Sequence, residues 1–200
     1  MRTEQRAGIE HIAYFKSVSW CRDLIENPLY HTSPTNSRLP KDTTEDSFFA
    51  ETLQTDRTVR KCLTLNVAPD DNLNPTIPIR EVLAFFELGN GVNGFPNLCH
   101  GGFVATLLDE VMGILLSVNQ EYLHRERGEV GEITSMTAYL NMKYLAPVTT
   151  PGIILGRAKV EKVEGRKIYI RGAIEDGEGK KLTVAEALFV KARKDPRALL

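Results

Sequence analysis

Between Gly102 and Asn119 the apolar positions neither alternate nor gather on one stripe. Phe103, Val104, Ala105, Leu107, Leu108, Val111, Met112, Ile114, Leu115, Leu116 and Val118 cover every side of a helix. A helix that is apolar all round is a buried one. At about 18 residues it falls short of a membrane span and suits a core. Elsewhere the period is two, as in strands. Val59 to Val67 and Val82 to Leu88 read as strands ahead of the helix, with a Pro-, Asp- and Asn-rich loop from Pro69 to Pro78 between them. After the helix, Ile133, Ser135, Thr137, Tyr139 and Asn141 share one face of a strand, and Met136, Ala138, Leu140 and Met142 the other. Ile154, Gly156, Ala158 and Val160 alternate with Leu155, Arg157, Lys159 and Glu161, and Ile168, Ile170 and Ile174 with Tyr169, Arg171 and Glu175. Leu182 to Val190 makes a further strand. Glu164-Gly165 and Asp176-Gly177-Glu178-Gly179 are hairpin turns. Strands, one buried helix and then a meander of strands is an α+β order, not an alternating βαβ one.

The part before residue 56 reads differently. A helix is expected over about residues 8 to 26, with Ile9, Ile12, Ala13 and Lys16 roughly on one side. Pro28, the polar run Thr32 to Ser37 and Pro40 then break regular structure. Asp42 and Glu45 look like a capping pair for a short helix over about 43 to 54. The expected organisation is an N-terminal helical extension, 1–55, and one domain, 56–195.

Composition narrows the function. The 200 residues carry 25 basic and 26 acidic side chains, a net charge of −1, which gives no whole-protein field to draw in nucleic acid or an anionic membrane. Cys21, Cys62 and Cys99 lie far apart, without metal-ligand spacing and odd in number, so no metal and a reducing compartment are expected. Arg2 and Arg6 are mixed with Glu4 and Glu10, and no secretory apolar stretch follows. The expectation is a cytoplasmic protein, with a mitochondrial one left open.

Chemistry is expected on the buried helix. Asp109 and Glu110 sit in its middle, where an ionised carboxylate without partners is costly. Neighbours point about 100° apart, so one of the two faces a given site. His100-Gly101-Gly102 stands where loop becomes helix. Free N–H groups and the positive end of the helix dipole suit a developing oxyanion there, and glycines let a ligand approach the backbone. A bare loop-to-helix junction would have the same letters. Cys99 beside His100 lacks the third group that a nucleophile–base pair needs. His11, His31 and His124 read as surface residues. Arg157, Lys159, Arg166 and Lys167 form a row that would either hold the phosphates of a nucleotide carrier or be a solvated strand face.

His100-Gly-Gly-Phe-Val-Ala-Thr-Leu-Leu-Asp109, followed by Thr137-Ala-Tyr-Leu-Asn141-Met-Lys-Tyr144-Leu-Ala-Pro147, resembles the hotdog-fold thioesterases related to the phenylacetate-pathway enzyme and to thioesterase superfamily members 2 and 4. With its flanking strands the resemblance covers roughly residues 59 to 192. It implies a long central helix wrapped by a curved antiparallel sheet, a dimer or tetramer, and hydrolysis of an acyl thioester without a cofactor. It implies Asp109 as general base or nucleophile, the Gly101 N–H as oxyanion donor with His100 beside it, and Thr137 as the hydroxyl that places water. Gly102, Asn97, Asn141, Arg157 and Lys159 are the expected substrate contacts. Some relatives carry an asparagine six residues before the histidine. Gly94 stands there in this chain, with Asn93 and Asn97 as possible substitutes.

Spacing adds an independent point. Gly101 and Asp109 are eight residues apart, about 12 Å along one helix. A general base must come within about 3 Å of its proton. If both groups act on one carbonyl, they come from different protomers of a symmetric dimer. Three other functions share the pattern: a hydratase or dehydratase using His100 and Asp109, a non-catalytic acyl-ligand sensor, and release of an acyl chain from a carrier protein.

Overall fold

The computed structural model describes residues 2–72, 74–128 and 135–192. In chain order the elements are α1 (Arg2–Lys16), α2 (Ser19–Ile25), β1 (Tyr30–Ser33), β2 (Val59–Val67), β3 (Glu81–Leu88), β4 (Asn93–Phe95), β5 (Leu98–Cys99), α3 (Gly101–Arg127), β6 (Ser135–Tyr144), β7 (Gly152–Glu164), β8 (Lys167–Glu175) and β9 (Lys181–Lys191). Seven strands form one sheet in the order β1-β2-β3-β7-β8-β9-β6. Every neighbouring pair in it is antiparallel. The long helix α3 lies on one face, which is the hotdog arrangement expected from the sequence.

Period-two alternation divides the apolar side chains between the two faces of the sheet. Phe86, Ile154, Ala158, Ile170 and Ala185 meet Leu107, Leu108, Val111, Met112 and Leu115 of α3 in the main core. Gly172 lets the helix come close, since a Cβ there would lie 2.5 Å from Met112 Cε and 3.2 Å from the Arg157 carbonyl oxygen. By length and composition α3 would also be able to cross a membrane. Here its central turns are packed against the sheet.

Leu63, Leu65, Leu83, Phe85 and Leu155 point to the other face, where Phe15 and Cys21 cover them. Phe15 stacks on Phe85 with centroids 5.3 Å apart, and the Trp20 ring meets Phe85 edge-on at 5.4 Å. The extension is thus a third layer. Its later part crosses to the helix side, where the buried Arg38 donates to the carbonyls of Leu53 and Val59 at 3.4 and 3.0 Å.

Several expectations need correction. The single helix over 8–26 is two helices, broken where the Ser17 hydroxyl donates to the Tyr14 carbonyl at 2.6 Å. The helix expected over 43–54 shrinks to one turn, Phe48–Thr52. Asp42 and Glu45 cap nothing; Lys41 instead pairs with Glu45 and Asp46 at 2.8 and 2.6 Å, and Asp46 takes a left-handed φ of 58°. Strands β1, β4 and β5 are too short and polar to have shown in the pattern. Helix α3 runs to Arg127 because the buried Asn119 side chain bonds the backbone N–H and carbonyl of Ile79, both at 2.8 Å, and Leu123 is buried beyond it. Ile133 lies outside the described residues.

The face assigned to β6 also changes. The register against β9 slips between Thr137 and Tyr139. Such a bulge reverses the alternation. Ser135 and Thr137 therefore face α3, and beyond the bulge Leu140 and Met142 do, packed against the core. Asn141 points the other way and lines an outer surface with Lys143, Arg171 and Glu186.

Candidate active site

His100 is the N-cap of α3, extended at φ −65° and ψ 132°, and its Nδ1 accepts the Gly102 N–H at 3.0 Å. A neutral ring with Nδ1 accepting carries its hydrogen on Nε2. Gly102 is thus spent as a donor, whereas the Gly101 N–H has no partner among the described residues. The Tyr144 hydroxyl donates to the Gly101 carbonyl at 2.8 Å and fixes the peptide that follows this N–H. Gly101 and Tyr144 line a cavity of about 260 Å³ together with Cys99 and Val148. Nothing in the sequence assigned Tyr144 a role; the signal was its place, seven residues after Thr137 in the same strand.

Asp109 lies two turns further along α3, half-buried. Thr137 of β6 donates its hydroxyl to Asp109 Oδ1 at 2.7 Å. The bulge makes this bond possible, because it lets Ser135 and Thr137 face the helix while the rest of the strand stays packed. The hydroxyl oxygen keeps lone pairs to accept from a water, and Asp109 Oδ2 has no partner among the described residues. A carboxylate fixed by a hydroxyl at the rim of an apolar helix is suited to take a proton from water.

Glu110 departs from its neighbour. It is largely buried under the N-terminal segment, and burial pushes its carboxyl up to about 7, against the opposing pull of the Ser37 hydroxyl that donates to it. It lines a cavity of about 530 Å³ between α3, Ser135, Phe189 and the segment that carries Ser37 and Asp46. The sequence singled out Glu110 only as the acid facing away from the site, and Ser37 only as part of a polar break.

The remaining expected residues divide. Gly94 sits against the cap, where a Cβ would lie 3.1 Å from the His100 Cα and ring, so a side chain at the position of the relatives' asparagine is sterically disfavoured. Asn93 is occupied by the Thr150 hydroxyl, and Asn97, exposed and left-handed at φ 60°, accepts the Thr150 N–H through its carbonyl at 3.0 Å. Arg157 and Lys159 are not brought to Asp109. They lie on the sheet face opposite α3, where the Arg157 guanidinium is engaged by Glu81 and Glu175 and Lys159 lies 3.9 Å from Glu81. Asn141 faces outward for the reason given above. Burial pushes the Cys99 thiol up to about 12, which suppresses the thiolate that a nucleophile requires. His11 is not a free surface residue, since its Nδ1 lies 3.0 Å from the Cys62 carbonyl oxygen. Among the described residues no cluster of His, Cys, Asp and Glu fits a metal ion.

Comparison with known proteins gives the family of the chain. The thioesterase superfamily model matches residues 96–183, from the loop before α3 to the start of β9. Verlamelin biosynthesis protein B of Lecanicillium sp is 31% identical over 173 residues, 76% of this chain and 75% of that one. The acyl-coenzyme A thioesterase THEM4 of Mus musculus is 29% identical over 113 residues, 56% of this chain. The chain spans less than half the length of that relative, 44%. A solved Bacillus halodurans protein with CoA is 23% identical at a TM-score of 0.46, covering 57% of this chain and 70% of that one. The chain belongs to the thioesterase superfamily, and with it to the thioester hydrolases of the hotdog fold.

Proposed function

We propose that the protein hydrolyses acyl-CoA thioesters to the free acid and CoA, with Asp109 as general base. The observation that carries this is the Thr137–Asp109 hydrogen bond at 2.7 Å on the core helix. Water held by Thr137 and Asp109 gives its proton to the carboxylate as its oxygen attacks the thioester carbon. The Gly101 N–H receives the charge that develops on the carbonyl oxygen. The intermediate collapses, the C–S bond breaks, and the proton held by Asp109 passes to the departing thiolate. Acyl-CoA is favoured as substrate by the likeness to a named acyl-coenzyme A thioesterase. The hydratase alternative requires His100 as a proton shuttle, and its Nδ1 is engaged by Gly102.

The reading includes a homodimer, alone or as half of a tetramer. Gly101 and Asp109 are about 12 Å apart on one rigid helix. The outer edge of β6 pairs with no strand among the described residues. Met136 on this strand and Phe95 in the neighbouring hairpin are 61% and 74% exposed. A second copy paired along this edge would cover them and bring its Asp109 toward this Gly101. The three cysteines are free, which suits a reducing compartment, cytoplasmic or mitochondrial.

Asp109→Asn keeps the shape and removes the base, so kcat on a good acyl-CoA is expected to fall about 100-fold or more with the fold intact. Thr137→Ala is expected to cost less. Near-full kcat in a folded Asp109→Asn variant would sink the mechanism. A second reading, release of an acyl chain from a biosynthetic carrier, is favoured by the likeness to a biosynthesis protein and uses the same chemistry. Paired assays on acyl-CoA and on the same acyl group tethered to a carrier protein separate the two.

A further inference from the structure

We infer that the acyl group accepted at this site carries a hydroxyl partway along its chain, bound in the 530 Å³ cavity beneath Asp109. The inference rests on the thioester hydrolysis proposed above and names its substrate class.

Two residues that line the cavity stand next to the catalytic pair in α3 and β6. Gly113 follows Asp109 by one turn on the same face of α3, roughly 6 Å along the axis. Ser135 precedes Thr137 by two residues on the same face of β6, before the bulge. Both Gly113 and Ser135 line the cavity. A Cβ at Gly113 would meet no atom within 4 Å, so the passage there is open. A thioester placed for attack at Asp109 therefore has room to run its chain past Gly113, between Ile114, Leu116 and Phe189.

A hydrocarbon chain would satisfy only part of this lining. Glu110, Ser117 and Gln120 come from the helix, Ser37 from the N-terminal segment and Ser135 from β6. Ser37 occupies one oxygen of Glu110, and the other has no partner among the described residues. The Ser135 hydroxyl is buried, also without a partner. Filling the cavity with methylene groups would seal these atoms from water, a cost for each buried polar group left unpaired. A chain hydroxyl resolves it, donating to the free oxygen of Glu110 and accepting from Ser135. A site built around buried polar groups discriminates strongly against an analogue that leaves them unpaired. Glu45 and Asp46 also line the cavity and share the single cation Lys41, so one net negative charge stays there and a chain ending in a carboxylate meets like charge.

The test is kcat/KM on acyl-CoAs of one chain length: unsubstituted, hydroxylated at successive mid-chain carbons, and ω-carboxylated. The best hydroxyacyl-CoA is expected to exceed the unsubstituted one about 10-fold or more, with the ω-carboxyl compound poorest. In Glu110→Leu the ratio of hydroxylated to unsubstituted should fall to about one or reverse. Gly113→Val narrows the passage without touching the polar groups, and should lose long chains relative to acetyl-CoA. Wild-type turnover of unsubstituted chains equal to or better than every hydroxylated one overturns the inference and leaves the proposed hydrolysis standing. An unchanged chain-length profile in Gly113→Val overturns the placement of the chain. Absence of hydrolysis on every compound overturns the proposed function itself.

Discussion

Asp109 and Glu110 are adjacent letters with opposite environments, and the difference is one of direction. Asp109 meets a strand hydroxyl at the rim. Glu110 turns under the N-terminal segment, where desolvation raises its carboxyl from 4.5 to about 7 despite Ser37; Asp46 and Asp109 push the same way and Arg38 opposes them. Between those two values the folded chain keeps a proton that the unfolded chain has released, so stability falls as pH rises through this window. Glu110→Gln removes the titrating group. It should match the wild type near pH 4.5 and gain up to about 3 kcal/mol above pH 7. Denaturant midpoints at pH 5 and pH 8 check this, and the same difference between the two proteins at both would contradict it. Gly101 permits a second residue-scale prediction. Proline is tolerated at the first position of a helix. The extended backbone of His100, with ψ 132°, suits a residue before proline, and a Cβ at Gly101 would reach only ordinary contact with Tyr144 at 3.5 Å. Gly101→Pro deletes the oxyanion donor with little strain, and kcat should drop about 100-fold or more at an unchanged melting temperature.

Among the elements, the pair α1–α2 decides whether the sheet is stable alone. Leu63, Leu65, Leu83, Phe85 and Leu155 form an apolar face that this pair covers, with Tyr30 and Ile153 packed beside it. Phe15 is fully buried there. Phe15→Ala is expected to cost about 3–5 kcal/mol in urea unfolding, while kcat of the molecules that remain folded stays near that of the wild type. A loss below about 1 kcal/mol would mean that the layer is loosely docked. The bulge in β6 is the other decisive element, because it lets one strand present Thr137 to Asp109 and Tyr144 to Gly101.

At the scale of the whole molecule, the proposed site needs two chains, and complementation tests that directly. A heterodimer of an Asp109→Asn chain with a Gly101→Pro chain holds one site with both groups intact if Gly101 and Asp109 act across the interface. If they act within one chain it holds none. Tagged co-expression and sequential affinity purification yield the mixed dimer. About half the wild-type activity is expected from it, against the roughly 100-fold loss in either parent. Activity no higher than that of the parents would eliminate the shared site.

The helix was legible from the sequence because apolar residues on every side are stable only away from water, and the strands around it offered a core to bury them. The strands after it were legible because alternation with tight turns leaves few other arrangements. The His100-Gly-Gly cap was legible as the place where loop becomes helix, and Asp109 stood out as a candidate because an unpaired charge is costly on an apolar helix. Tertiary structure alone decided the rest. A one-residue slip against β9 set which side chains of β6 meet α3, and no local preference encodes that slip. The partners of Arg157 come from β3 and from the end of β8, so its sequestration depends on sheet order and not on the row of basic residues around it. The burial of Glu110 depends on Ser37, 73 residues earlier. A segment that looks like a polar break acquires its role only when Arg38 ties it over the helix, because desolvation belongs to what surrounds a group and not to its place in the chain.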